Sequence, residues 1–388
     1  MEAMLRLLPL ALLIAAAILA APASAQTSTQ ARWLLTGASS VPTNYWQGLT
    51  ADPAGRRVFF TGPQEGLWRT TPRLRQTAGR SVAIPAGVKA AEGYNHIGDP
   101  TWDNAEGGRL LLPLECYTPI GPDSNPCDTG SIGVADPATL AWRYYVKLDP
   151  AEIPKAMWAE LSPDGSQVWT SSGNDLLAYN AGDVSAANAA PGAAPIRSTA
   201  RLAGAVPPSG ITGAVFRHGR LLLAGDDAGS FQVWSVDPAT GARGLEIQRR
   251  VCGESEGLHV MRTMGGELHW LVAPFAQGCR LTFGLESALM HFSRQSGAHA
   301  LRVFARTPPG RAQAGRRVRV GVVVKGLRGR RGVRGVRVSF AGYSARTNRR
   351  GRAITTGRFH GPGRYKVFAR KGNRFGLSRF LFVNVARR

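Results

Sequence analysis

Seven side chains able to bind a ligand or a metal recur near the starts of similar strings: Gln47, His96, Asp99, Asp103, Glu160, Glu256 and His259. The strings are WQGLTADPAGRRVFFTG from Trp46, HIGDPTWDNAEGGRLLLPLE from His96 and WAELSPDGSQVWTSSG from Trp158. Two more follow, ITGAVFRHGRLLLAGDD from Ile211 and SEGLHVMRTMGGELHWLVAPF from Ser255. They place Gln47, His96, Glu160, Thr212 and Glu256 at roughly equivalent positions. Carboxylates with an amide and a hydroxyl suit Ca2+, and the two imidazoles widen the choice to another divalent metal. A metal there would acidify a bound water and support hydrolase or lactonase chemistry. The bland alternative is a wet channel whose polar lining binds nothing specific. Trp46, Trp102 and Trp158 either stack a flat ligand at the mouth or fill space between repeats. The sequence holds no G-x-S-x-G elbow, H-E-x-x-H pair, phosphate loop or dinucleotide fingerprint.

The elements that must position these residues are strands. Each opening leads through a turn into a second apolar strand, and the units close on strings such as SIGVADPATL (from Ser131) and FQVWSVDPATG (from Phe231). Short strand pairs repeating at intervals of this kind predict an all-β, five-bladed β-propeller over residues 26–300, because one blade alone cannot bury both faces. Five copies are complete; a sixth blade requires Trp33–Ala38 and poorly matching stretches. The Ala-, Pro- and Ser-rich stretch 181–208 reads as a long loop between two blades.

Residues 301–388 are written differently. They hold 25 of the chain's 48 Lys and Arg and none of its 25 Asp and Glu, so the net charge of +23 arises there. In Arg316–Val320 and Arg334–Val338, Arg and Val alternate, and a period of two sets Arg on one face and Val on the other. That predicts a small β-sandwich with an Arg-studded surface. The clusters Arg316, Arg317 and Arg319, then Arg328, Arg330, Arg331, Arg334 and Arg337, then Arg349, Arg350 and Arg352 are the candidate polyanion-binding residues, since the guanidinium fork grips phosphate and carboxylate. The partner this implies is an anionic cell-envelope polymer or another polyanion.

The string GVRVSFAGYSARTNRRGRAITTG, followed by PGRYKVFARKG, resembles bacterial Ig-like and carboxypeptidase-regulatory-like domains, with Asn348 where the usual turn Asp stands. The resemblance implies an accessory, non-catalytic module. The repeated front half resembles secreted bacterial propellers of the gluconolactonase-like and related classes. Some of those relatives hold a divalent metal through acidic residues at blade openings, and Glu65-Gly66 and Glu256-Gly257 are the pairs that match.

Residues 1–25 carry Arg6, an apolar run over 7–21 and Ala23-Ser24-Ala25, the pattern of a cleaved secretory signal. A secreted or cell-surface chain with no transmembrane helix in its mature form follows. In that setting four cysteines predict disulfides, and of three pairings the local one, Cys116–Cys127 with Cys252–Cys279, is preferred. Together these readings describe a secreted, non-enzymatic binding protein: a propeller recognition face for a protein or carbohydrate, tethered by a basic domain. A metal-dependent channel enzyme and a structural envelope or matrix component are the alternatives.

Overall fold

The computed structural model describes residues 32–386 except 63, 118–126, 190–191, 228, 252, 262–265, 274–286, 296–299, 307–311, 314–315, 328, 330, 342, 360–362 and 373. The signal segment, Cys252, Cys279, Arg328 and Arg330 lie outside the described residues. The chain is almost entirely β. Among the described residues there is one short α-helix, α1 (Ala86–Glu92), and no helix long and apolar enough to cross a membrane.

After the first strand, β1 (Arg32–Val41), the chain lays down five antiparallel sheets in order. The first holds β2 (Gly48–Ala51), β3 (Val58–Thr61), β4 (Leu67–Thr70) and β5 (Gln76–Arg80). The second holds β6 (His96–Ile97), β7 (Thr101–Asp103), β8 (Arg109–Glu115), β9 (Ser131–Ala135) and β10 (Trp142–Lys147). The third is β11 (Glu160–Leu161), β12 (Gln167–Ser172), β13 (Asp175–Asn180) and β14 (Ala200–Leu202). The fourth is β15 (Gly210–Arg217), β16 (Arg220–Asp227), β17 (Ser230–Val236) and β18 (Arg243–Arg250). The fifth contains β19 (Glu254–Val260), β20 (Leu268–Ala273) and β21 (Ser287–Gln295), and β1 completes it by pairing with β21 from Arg32↔Gln295 to Val41↔Ser287. Contacts run in a closed cycle: β2 touches β7, β7 touches β11, β11 touches β15, β15 touches β19, and β19 returns to β2. This arrangement is consistent with a propeller. Trp33–Ala38, set aside for a sixth repeat, is part of β1 and belongs to the fifth sheet.

One local reading is corrected and one is borne out. The stretch 181–208 is not a bare loop: Val184 and Ile196 are buried in a core shared with Ile132 and Tyr179, and β14 edges the third sheet. Sparse apolar anchors, spaced too widely to look periodic, hold it down. Cys116 and Cys127 are joined as expected, with Cα atoms 5.4 Å apart.

One carboxylate gathers the ring. Asp99, between β6 and β7, is 1% exposed. Its Oδ1 accepts from Leu49 N–H of the first sheet at 2.8 Å. Its Oδ2 accepts from Ala214 N–H of the fourth at 3.1 Å and Leu258 N–H of the fifth at 3.2 Å. Its own N–H donates to Met157 O, and its carbonyl accepts from Ala159 N–H, both at 3.0 Å, tying in the third sheet's approach. Burial lifts the carboxyl well above its usual range, while the three N–H bonds pull against that lift. Glycines make the convergence sterically feasible. A Cβ on Gly48 would stand 2.5 Å from Asp99 Cα, one on Gly257 would lie 2.6 Å from Gly48 Cα, and one on Gly98 would overlap the Met157 carbonyl.

The remaining strands are β22 (Leu301–Arg306), β23 (Ala312–Gln313), β24 (Arg317–Gly326), β25 (Arg337–Phe340), β26 (Tyr343–Arg346), β27 (Arg352–Arg358), β28 (Gly363–Tyr365), β29 (Phe368–Lys371), β30 (Arg374–Leu377), β31 (Leu381–Val383) and β32 (Val385–Ala386). Two sheets, β22-β24-β27 and β26-β25-β29-β30, flank a core drawn only from residues after 300, including Val320, Val338, Phe340 and Tyr365. The period of two holds here: Arg317, Arg319 and Arg337 face out, while Val320 and Val338 are buried.

Hydrogen bonding crosses from this region into the ring. β28 pairs with the free edge of β1, Gly37↔Tyr365 to Ser39↔Gly363. Tyr365 then heads a buried chain of hydrogen bonds. His269 Nε2–H donates to Met261 O at 2.9 Å, so His269 Nδ1 accepts from His291 Nδ1–H at 2.8 Å. That leaves His291 Nε2 to accept from the Ser39 hydroxyl at 2.7 Å, and the Ser39 oxygen accepts from Tyr365 O–H. Each imidazole carries one proton, in keeping with burial pushing His269 down to about 4 and His291 well below its usual value.

If Asp99 draws the sheets together, Asp99→Asn will put an amide N–H2 against backbone donors. We expect a loss of about 3 kcal/mol, the cost of buried unsatisfied groups, measured as a lower urea midpoint with unchanged slope; a midpoint within error of wild type would show that the hub is dispensable.

Candidate functional site

Asp99 divides the expected ring of polar residues into two ends. Residues that precede the hub on their strands, Gln47, His96 and Glu256, gather at one end; residues that follow it, Asp103, Glu160 and His259, gather at the other. The single metal shell anticipated from the strings is therefore not assembled. Among the described residues no three His, Cys, Asp or Glu side chains are placed to hold a metal. The equivalence drawn among Gln47, His96, Glu160, Thr212 and Glu256 also needs correction. Gln47, Thr212 and Glu256 each precede a hub glycine, but in the second and third sheets His96 stands one residue too early and Glu160 beyond the hub.

The first end is a closed relay. Gln47 Nε2 donates to Glu256 Oε2 at 2.9 Å, Gln47 Oε1 lies 3.0 Å from His96 Nε2, and His96 Nδ1 lies 2.7 Å from Glu115 Oε1. Glu256 is 2% exposed, and burial together with Glu254, Asp99 and Glu115 pushes its carboxyl well up. The Tyr117 ring covers His96 at 5.4 Å. These side chains form a buried polar chain from Glu256 to Glu115.

The second end is open. A cavity of about 910 Å3 is lined by Thr50–Gly55 from the first sheet, Thr101–Ala105 from the second, Glu160–Gly165 from the third and His259–Met261 from the fifth. Three of its four lining carboxylates are engaged locally. Asp52 accepts from Arg56 N–H and Arg57 N–H and pairs with the Arg57 guanidinium; burial raises its carboxyl, but these bonds outweigh it and leave it lowered. Asp103 binds Arg109 Nε at 2.7 Å and Ala105 N–H at 2.9 Å. Asp164 is held down to about 2 by the hydroxyl of Ser162 and by Ser166.

Glu160 differs. It is buried, its Oε1 accepts from Phe216 N–H at 3.0 Å, and no cation faces it among its hydrogen-bond partners. Burial raises its carboxyl to about 7, against smaller opposing contributions from Phe216 N–H and the Thr101 hydroxyl. Beside it on the lining, His259 is pushed down to about 3 by burial and by His269, so its imidazole is neutral near pH 7. A carboxyl that exchanges its proton near neutrality, with a neutral imidazole on the same cavity, is suited to general acid–base work. Trp102 contributes a half-buried indole to the lining, anchored to Asn104 Oδ1 at 2.9 Å with the Arg57 guanidinium 5.2 Å over its ring. Trp158 is fully buried and bonds Ser171, which makes it packing.

Asp52, Thr50, Thr101 and Asp164 escaped the sequence reading. Their signal was present: Asp-Pro-Ala-Gly at 52–55 and Ser-Pro-Asp-Gly at 162–165 follow successive openings and fall at the same end of the ring.

No family model matches the sequence, and no curated protein matches it. Among solved structures, the chain is similar to the PQQ-bound form of aldose sugar dehydrogenase from Streptomyces coelicolor, at 8% identity and TM-score 0.36, covering 69% of this chain and 99% of that one. It is also similar to a glucose dehydrogenase, at 10% identity and TM-score 0.38, covering 66% and 98%. Both are enzymes. The expectation of a non-enzymatic binding protein finds no counterpart in these two dehydrogenases and is not kept; a likeness of this degree assigns no activity, cofactor or substrate, and the function is read from the cavity itself.

The Glu160 carboxyl has a direct thermodynamic signature. Its folded value of about 7 lies above the ordinary 4.5, so the folded chain holds this proton more tightly than the unfolded chain. That stabilisation is complete below about 4.5 and is lost as pH rises through about 7. Stability of wild type relative to Glu160→Gln should therefore fall between these values in urea titrations at stepped pH; a flat difference would place the carboxyl in its ordinary range.

Proposed function

We propose that residues 26–300 form a five-bladed β-propeller, that residues 301–388 form an Ig-like sandwich docked on its fifth blade, and that the chain is an enzyme acting in the Glu160 cavity. Five sheets joined in a closed cycle of contacts through β2, β7, β11, β15 and β19, with β1 as the clasp, support the blade count. Glu160 carries the functional reading. It is the one lining carboxylate without a local cation or turn to hold it ionised, and it is raised into the range where proton transfer at neutral pH is efficient.

The substrate class follows from the walls. No Lys or Arg side chain lines the cavity, so nothing there favours an anion. Thr50, Thr101 and His259 offer hydroxyls and a neutral imidazole, and the fully buried Thr50 hydroxyl has no hydrogen-bond partner among the described residues. Trp102, Leu161, Val260 and Met261 add apolar surface. This combination suits a small, uncharged, hydroxyl-bearing molecule, held by polar groups against an indole face. Glu160 would take a hydroxyl proton as general base, and His259 would accept a hydrogen bond.

Saturation-transfer NMR against a panel of neutral sugars and polyols, with conversion followed by mass spectrometry, tests this. We expect at least one panel member to bind wild type and to be converted. General-base removal typically costs a factor of about 100 or more, so Glu160→Gln should lose conversion by that factor while keeping its fold by circular dichroism. Binding confined to anionic compounds, or conversion unchanged in the variant, would overturn the assignment.

A further inference from the structure

We propose that the open face of the β22-β24-β27 sheet is a docking surface for an anionic lipid bilayer. The register of the sheet places its outward side chains in rows. Arg302 lies opposite Lys325, Phe304 opposite Val323 and Val323 opposite Arg352. Arg306 lies opposite Gly321 and Gly321 opposite Ile354, while Arg319 faces Thr356 and Arg317 faces Arg358. Apolar side chains therefore occupy the middle of the face, and cations surround them. Phe304 is 52% exposed and Ile354 57%, both large side chains left in solvent by a sheet whose other side is packed. Gly321 between them leaves open space above the sheet.

The charge is uncompensated. No Asp or Glu occurs after residue 300, and among the described residues every ion pair lies before residue 295. Arg317 and Arg358 sit directly opposite one another, a like-charge cross-strand pair that disfavours the isolated sheet. An anionic partner relieves that repulsion. Charge alone would suit any polyanion, but a soluble polymer gains nothing from Ile354 and Val323. A lipid surface takes both: phosphate headgroups meet the arginine forks, and Phe304 and Ile354 enter the boundary beneath them. The apolar centre of the face is the observation that selects a bilayer over a dissolved polyanion.

The test is co-sedimentation of the full chain with phosphatidylcholine vesicles, with and without phosphatidylglycerol, at low and moderate salt. Binding should require phosphatidylglycerol and weaken as salt screens the surface. Each Arg→Gln change at Arg319 or Arg352 should weaken it about fivefold. Phe304→Ser with Ile354→Ser should weaken it about tenfold without lowering the thermal midpoint, because both side chains are exposed. Heparin and duplex DNA are run as competitors. Equal binding to zwitterionic vesicles, no vesicle binding, or tight competition by the soluble polyanions with no effect of the Phe304/Ile354 pair would each overturn the proposal, the last in favour of a polyanion site.

Discussion

The structure depends on bringing five sheet edges to one point, and a buried carboxylate is what meets them. Backbone N–H groups at the start of a strand are donors with no strand partner on the axial side, and leaving them dry would cost about as much as several lost hydrogen bonds. Asp99 supplies two acceptor oxygens to Leu49, Ala214 and Leu258, and its own peptide groups serve Met157 and Ala159. Charge burial opposes this strongly enough to lift the carboxyl well above its usual range, and the set of N–H bonds offsets only part of that cost. The glycines at 48, 98, 213 and 257 are the steric half of the same solution, since any side chain there would hold the strands apart.

Closing the axis has a chemical result. A propeller with an open channel would let polar groups along its whole length act together. Here the axis is stoppered, so one end becomes a buried polar chain from Glu256 to Glu115 and the other a cup. The cup inherits a desolvated wall from the hub beneath it, and that wall is what lifts Glu160 while turn carboxylates a few residues away stay ionised. Environment separates chemically similar groups into structural and reactive ones.

Much of this was legible in the residues, and the limits have physical causes. The strand repeat, the change at residue 301, the Arg/Val alternation and the Cys116–Cys127 bridge are local patterns, and local patterns survive in a one-dimensional reading. Asp99 was singled out, but as a metal ligand. Its true partners are backbone amides of four other segments, which no side-chain pattern announces. Glu160 was aligned with Gln47 and Glu256 because all are polar and near an opening. A slip of a few residues along a strand passing through the hub moves a side chain from one end of the ring to the other. The apolar centre of the basic sheet stayed hidden because Phe304, Val323 and Ile354 come from three strands and meet only through register.

β1 is shared property. It closes the ring by pairing with β21 and at the same time offers its other edge to β28, with Tyr365 reaching through Ser39 to His291. The first of the described strands is thus the partner of strands far along the chain, and both halves of the molecule claim it. A ribosome must pass Gln295 before β1 can pair fully with β21, and Tyr365 before it can pair with β28, so the ring cannot seal as it emerges. Closure is a late, long-range event of the kind that makes β-rich chains slow to fold. Until then the edge of β21 stands bare, and a β1 from a second molecule would fit it as well as its own. The clasp that gives the finished protein its continuity is also the place where two unfinished copies would exchange strands.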